Sequence, residues 1–364
     1  MRCNPPAASP IQMSIPKTLR RLLMAAGLAL PLAGCNTILL NAPGDIARQQ
    51  GNLIIISTLL MLIIIVPVIS LTLFFAWRYR ASNTKATYKP DWDHSLQLEL
   101  VIWACPLLII IALGAITWIT THTLDPYRPL DRIAENKPVP AGVEPLEVQV
   151  VSLDWKWLFV YPEQGIATVN ELAAPVDRPI RFKLTSSTVM NAFYVPALAG
   201  MIYTMPGMQT ELNAVISDTG EYEGFSSNYS GAGFSGMRFR FHALDQAGFD
   251  GWVQQVRAGG RLDRDAYLEL EKPSEREPVR HFGAVEEGLY DAILNRCVDP
   301  RRMCMHEMMA IDAAGKGAGR TGIEGLEARN RGDLRGRPYV QSAMCAAGDA
   351  PAAGLNTSLS RLAP

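Results

Sequence analysis

Between Leu53 and Trp77 the chain carries 25 residues without a single charged side chain. As a helix rising 1.5 Å per residue this run is roughly 37 Å long, enough to cross the apolar core of a bilayer with some tilt. A second uncharged run extends from Leu100 to Thr121. Two such runs joined by a short charged loop argue against buried core helices and predict a membrane hairpin, with spans at about 53–77 and 97–121. Pro67 falls mid-span and predicts a local kink, while Pro106 stands near the start of the second span. Trp77, Tyr79, Trp92 and Trp118 fall near the span ends, where aromatic belts form. Cys105, inside a span, reads as a small apolar residue.

Residues 17–35 read as a lipoprotein signal. Lys17, Arg20 and Arg21 precede the short apolar run Leu22 to Leu32, which ends in Leu-Ala-Gly-Cys35. A third transmembrane helix is the alternative, but the run is too short for one and its positive flank suits a signal. Cleavage before Cys35 would leave residues 1–34 as signal peptide and Cys35 as the lipid-bearing residue. The loop between the spans holds Arg78, Arg80, Lys85 and Lys89, whereas Arg48 alone flanks the first span on the other side. Positive loops stay in the cytoplasm. A lipidated cysteine lies outside it. Both clues put everything after Thr121 in the periplasm of a bacterial inner membrane.

Residues 124–145 read as a linker, broken by Pro126, Pro129, Pro138, Pro140 and Pro145. Strands follow. Leu146, Val148 and Val150 alternate with Glu147 and Gln149; Ile180, Phe182 and Leu184 alternate with Arg181 and Lys183. Leu212, Ala214 and Ile216 repeat the pattern, as do Met237, Phe239 and Phe241. This period suits half-buried strands of a β-sandwich over residues 146–258. His242 lies on the outer face of its strand. Phe249, Trp252, Val253 and Val256 have helical spacing, with Gly259-Gly260 as a stop. Leu262, Ala266, Tyr267 and Leu270 suggest a further short helix, and Pro273 and Pro278 open an irregular tail.

The stretch Gly224-Phe-Ser-Ser-Asn-Tyr-Ser-Gly-Ala-Gly-Phe-Ser-Gly-Met237 is similar to the pattern Gly-x-Cys-x-Glu-x-Cys-Gly-x-x-His-x-x-Met, which carries the dinuclear copper centre in subunit II of haem-copper cytochrome c oxidases. Ser226 and Ser230 stand at the two cysteines, Asn228 at the glutamate and Phe234 at the histidine, while Met237 is kept. An upstream histidine is replaced by Asn191. Copper in such a site needs thiolates and imidazole nitrogens. Serine stays protonated at neutral pH, phenylalanine has no lone pair, and a lone thioether is a weak acceptor. No metal is therefore expected here. A Gly/Ser-rich turn without history is the plainer alternative, and the coordinated replacements within a kept frame speak against it.

Together with Asp154-Trp-Lys-Trp157, Tyr161 through Glu171 and Met205-Pro-Gly-Met-Gln-Thr210, the loop resembles subunit II of the cytochrome bo-type ubiquinol oxidases. The resemblance implies a membrane α-helical hairpin, an all-β cupredoxin-like Greek-key sandwich without copper, and a mostly irregular or helical C-terminal tail. It implies oxidation of ubiquinol coupled to reduction of oxygen to water, with proton pumping. It also implies oxidase subunits I, III and IV as partners, membrane lipid around the hairpin, and two haems and one copper in subunit I, none in this chain. Glu99, the carboxylate at the cytoplasmic start of the second span, matches a glutamate near the mouth of a proton channel in that family. A carboxylate at the membrane surface with no such role is the alternative. His94 reads as an interfacial polar residue. Trp155, Trp157 and Tyr161 form a patch in which a tryptophan takes electrons from cytochrome c in copper-bearing relatives; here they are expected to pack the sandwich onto a partner subunit. Met201, Met205 and Met208 are expected to pack in the core or an interface.

The segment 259–364 reads as a tail. Its Cys297-x6-Cys304-Met-His306-Glu-Met-Met309 run allows a disulfide, as the oxidising periplasm favours, or a copper-acquiring segment. Cys297 with Cys304 is the first pairing to expect, and Cys345 is then left over. Gly315 to Arg337 is rich in glycine and arginine. A net charge of −1 offers no case for nucleic acid. No nucleophile triad, phosphate loop or dinucleotide motif supports an independent enzyme. Two rival functions remain. A cytochrome c oxidase-like subunit II requires the lost copper ligands. A membrane-tethered periplasmic copper-binding module would use the Cys/Met/His tail.

Overall fold

The computed structural model describes residues 38–87, 89 and 91–313. The signal segment, Cys35, Cys345 and the Gly/Arg-rich stretch fall outside them. The membrane hairpin consists of helices α1 (Asp45–Arg78) and α2 (Leu96–Thr123). Both present apolar side chains outward over nearly their whole length, as a bilayer requires. Each helix runs on through its proline, although Pro67 and Pro106 supply no backbone N–H to the ladder.

Helix α1 begins eight residues before the uncharged run, and those extra turns meet the periplasmic body. Asp45, Ala47 and Gly51 are buried. The guanidinium of Arg132 donates to Asp45 Oδ2 at 2.9 Å, and the Gly44 amide donates to Ala197 O at 2.9 Å. A bridge joins Gly44 to Ile216. Only glycine fits at position 44, because a Cβ there would stand 2.3 Å from the backbone oxygen of Leu198. Gly44→Val is expected to lift α1 off the sandwich at a cost of about 1–3 kcal/mol. Faster proteolysis at Ala197–Gly200 in the purified chain checks this; unchanged cleavage would contradict the contact.

A short ribbon, β1 (Arg132–Ala134) with β2 (Lys137–Pro138), interrupts the proline-rich connection. The body is then built from β3 (Leu146–Leu153), β4 (Lys156–Tyr161), β5 (Ile166–Val169), β6 (Glu171–Pro175), β7 (Ile180–Ser186), β8 (Asn191–Tyr194), β9 (Ile202–Thr204), β10 (Thr210–Ala214), β11 (Gly220–Ser226) and β12 (Arg238–Leu244). Helix α3 (Gln246–Arg257), β13 (Gly260–Leu262), α4 (Arg264–Glu271), β14 (Arg280–Val285) and α5 (Leu289–Leu294) complete it. One sheet has the order β10-β7-β3-β4-β5-β14-β13 and the other β6-β12-β11-β8-β9. The alternation in β3, β7 and β12 buries the apolar set and leaves Glu147, Arg181, Lys183, Arg238 and Arg240 at the surface side. This is the expected sandwich.

The core between the sheets is aromatic. Phe193 stacks on Phe239 at 5.4 Å, and Trp157 meets both edge-on at 5.5 and 5.8 Å. Tyr161 lies 5.4 Å from Trp252, whose helix α3 is capped by the Asp245 carboxylate accepting from Gly248 N. The four residues read as the inner stripe of α3 (Phe249, Trp252, Val253 and Val256) are the buried ones. Asp263 caps α4 in the same way.

The boundary read at 259 falls inside this body. Strand β14 pairs antiparallel with β5 through Arg280–Val169, His281–Thr168 and Phe282–Ala167, and β13 pairs with β14. The segment after α3 therefore extends the first sheet. It also packs against the start of β4, where Lys156 donates to Lys272 O and Ser274 Oγ, and all six residues of β4 are buried. A second compact unit begins at Met303 and holds helix α6 (Met305–Ala313), which buries none of its residues.

Candidate functional site

The loop with the copper-site frame runs from the end of β11 to the start of β12. Gly224 is required on packing grounds, since a Cβ there would meet the Phe239 ring at 2.0 Å. Ser226 is buried at the end of β11 beside Asn191, the first residue of β8. Its hydroxyl stands 3.2 Å from both Asn191 Oδ1 and Asn228 O, and accepts from Ala192 N at 3.4 Å. The Asn228 amide turns away and donates to Met190 O at 3.1 Å. Ser230 has a buried hydroxyl with no partner among the described residues, while its carbonyl accepts from Trp155 Nε1 at 3.0 Å. Phe234 packs edge-on against Tyr229 at 5.6 Å. Met237 is buried in the core, its amide donating to Phe234 O. Phe225, Ser226, Phe234 and Arg238 line a shallow depression of about 280 Å³.

The fold thus brings Asn191 and Ser226 into direct contact and ties Asn228 to them through its backbone. It leaves Ser230, Phe234 and Met237 in separate surroundings. A copper pair does not fit this donor set, because hydroxyl, amide and phenyl groups occupy the places where thiolate and imidazole are needed. Among the described residues no three His, Cys, Asp or Glu side chains are grouped to hold an ion. Asn191, Ser226 and Asn228 instead bond one another, and the loop is held by packing.

Trp155 does part of that holding. It adopts φ 65°, a left-handed conformation uncommon for a bulky residue. Its ring fills the space beside Gly233, where a Cβ would approach it to 2.5 Å. Trp157 and Tyr161 were expected to meet a partner subunit, and here the structure differs. Both are fully buried between the sheets, with the Tyr161 hydroxyl donating to Ala173 O at 2.9 Å. Strand β4 is central and covered on both sides, so its aromatics have no outer surface to offer. Met201 and Met208 are exposed and not in the core.

Glu99 lies in the first turn of α2, where a carboxylate suits the positive end of the helix. His94 Nδ1 is 2.6 Å from its Oε1, and both side chains face solvent. Cys297 and Cys304 each stand in a disulfide, and Cys105 is the free cysteine among the described residues.

Two polar clusters went unread in the sequence. In the first, the Glu171 carboxylate receives His281 Nε2 at 2.6 Å, Trp252 Nε1 at 3.2 Å and His242 Nε2 at 3.2 Å. It joins β6, β12, α3 and β14. In the second, the buried Lys156 ammonium donates to Lys272 O at 2.7 Å and Ser274 Oγ at 2.6 Å, and Ser274 donates to Glu277. Burial pushes the Lys156 pKa below the usual lysine value, against the pull of Glu277 and Asp154. No local signal could have found either cluster, since the partners are about a hundred residues apart in sequence.

Comparison with known proteins gives this geometry a family. Residues 147–243 match the family described as cytochrome c oxidase subunit II, periplasmic domain, and residues 257–301 match the COX aromatic rich motif. The chain is 51% identical over 269 residues to the cytochrome bo(3) ubiquinol oxidase subunit 2 of Pseudomonas aeruginosa, covering 74% of this chain and 78% of that one. It is 49% identical over 281 residues to the ubiquinol oxidase subunit 2 of Acetobacter aceti, covering 76% and 89% respectively. A solved structure of the periplasmic domain of cytochrome oxidase subunit II from Bradyrhizobium japonicum aligns with 32% of this chain and 95% of its own, at 25% identity and a TM-score of 0.30. Identity of this depth, over most of both chains, places the protein in the family of ubiquinol oxidase subunit II within the haem-copper oxidases.

Proposed function

We propose that this chain is the non-catalytic, lipid-anchored subunit II of a proton-pumping ubiquinol oxidase in a bacterial inner membrane. It carries no redox centre of its own. The observation that supports this most directly is the former copper loop, whose Asn191–Ser226–Asn228 contacts use the polar atoms internally and leave no soft ligand set. Electrons from cytochrome c would find no acceptor in it. Haems and copper then belong to subunit I, with subunits III and IV completing the complex.

The chain's own share is mechanical and protonic. Val189, Met190, Met201, Tyr203, Met208 and Tyr229 are exposed apolar side chains around the loop. Met201 follows residues 197–200, which meet the top of α1, and touches Ser227 of the loop. This exposed apolar face supports a role in capping subunit I. Glu99, at the cytoplasmic end of α2, serves as a proton entrance to the complex. Cys35 carries the lipid, and Cys297 pairs with Cys304. As disulfide sulfurs these two supply no thiolate, which weighs against the copper-binding tail.

Oxygen uptake by the purified complex tests the reading. Uptake is expected with ubiquinol and not with reduced cytochrome c; rapid uptake with cytochrome c would overturn it. Glu99→Ala is expected to leave assembly intact and slow ubiquinol turnover by roughly an order of magnitude. That is less than the hundredfold of a positioned acid or base, because water still reaches the site. Unchanged turnover would remove the proton role.

A further inference from the structure

A second pocket, away from the former copper loop, has no place in the function above. It lies between the end of β7, helix α4 and the turn after α5, with a volume of about 70 Å³. A single water needs roughly 10–15 Å³ of such space, so the pocket holds several waters or one small polyatomic ion. Ser187, Tyr267, Glu271, Arg296, Asp299 and Arg302 supply its polar lining.

The lining is unbalanced toward donors. The hydroxyls of Ser187 and Tyr267 are buried and have no hydrogen-bond partner among the described residues. Tyr267 is 1% exposed and Ser187 7%. Buried hydroxyls without partners are uncommon in native proteins, and both residues line this pocket. Arg296 and Arg302 stand at the exposed rim, and neither guanidinium donates to a side chain among the described residues. Of the two carboxylates, Asp299 is already taken: Arg301 grips both its oxygens, at 3.0 and 2.9 Å. Glu271 is pushed toward its neutral, donating form by burial, while Arg302 and Arg296 pull the other way and Asp154 adds to the push.

We propose that this pocket binds a small oxyanion of the phosphate or sulfate class. The two guanidiniums would meet its charge from the rim, and the Tyr267 and Ser187 hydroxyls would donate from the floor. Planar guanidinium donors match such oxygens well. In its protonated form, which burial favours, the Glu271 carboxyl would add a donor without adding a like charge.

Sulfate is the suitable probe, because its charge does not change between neutral and mildly acidic pH. Calorimetric titration of the purified oxidase complex is expected to show saturable sulfate binding that Arg296→Gln and Arg302→Gln each weaken about tenfold, the loss of one hydrogen bond to a charged group. Tyr267→Phe is the sharper variant. It removes a hydroxyl that no described protein group uses, so folding is spared and only an occupant would notice; a loss of several-fold is expected. Binding should also tighten as pH falls, since Glu271, with its pKa raised, gains its proton in that direction, and Glu271→Gln should flatten this dependence. Absence of saturable binding, equal heats from potassium chloride at matched ionic strength, or an affinity unchanged in Tyr267→Phe would each overturn the assignment and leave a water-filled pocket.

Discussion

Trp157→Ala is expected to destabilise the periplasmic body by about 3–5 kcal/mol, the range for truncating a large aromatic in a close-packed core. The ring is fully buried and touches Phe193 and Phe239 edge-on. Its removal leaves a cavity at the centre of the sandwich, between β4 of one sheet and β8 and β12 of the other. Domains of this size are stable by roughly 5–15 kcal/mol, so the loss is a large fraction of the total. Trp157→Phe is expected to cost much less. The indole Nε1 is buried without a partner among the described residues, so phenylalanine discards an unsatisfied N–H along with part of the ring. Thermal denaturation of the full chain followed by circular dichroism separates the two variants. A Trp157→Ala melting point close to the parent would mean that the aromatic core is not what holds the sheets together.

The second large effect is expected at Glu171. Its side chain is 15% exposed and faces two imidazoles and an indole N–H. Glu171→Ala leaves three part-buried donors without an acceptor and is expected to cost about 3 kcal/mol, since breaking a buried polar network from one side exposes the full desolvation penalty of the rest. The damage should be local at first. His281 belongs to β14, and β14 is joined to the rest of the sheet through β5. Hydrogen exchange is therefore expected to accelerate at Arg280–Val285 before it does in β3 or β7. Glu171→Gln keeps one acceptor oxygen and should fall between the two. Uniform acceleration across the sheet would show that Glu171 supports the body generally and does not clasp the later segment.

Some of the protein was legible residue by residue. The membrane hairpin follows from charge-free length, because in lipid the backbone must satisfy itself and a helix does so locally. The strands β3, β7 and β12 follow from alternation, because one of their faces is packed and the other is not. The unsuitability of the Ser226–Met237 loop for copper follows from side-chain chemistry alone, before any distance is known. Helix α3 and its inner stripe are equally readable, since helical periodicity is a local property.

Other features required the assembled molecule. Strand β4 shows no alternation, because both of its faces are covered: Trp157 and Tyr161 lie in the aromatic core between the sheets, and Lys156 on the other face meets the later segment; the two aromatics are therefore core residues and not a docking surface. Strand β14 follows two prolines and lacks a strong pattern of its own, and β5 supplies the partner that makes it a strand. The eight residues of α1 before the uncharged run are helical above the membrane because Asp45 and Gly44 find Arg132 and Ala197 on the sandwich. The Glu171 cluster, the Lys156 network and the donor-rich pocket all join residues remote in sequence. Sequence alone determined where the chain crosses the membrane, which strands alternate and what the loop cannot ligate, since each depends on neighbours in the chain. Tertiary structure alone decided which aromatics are inside, where the later segment attaches and which charges meet, since burial and pairing are set by what packs from elsewhere.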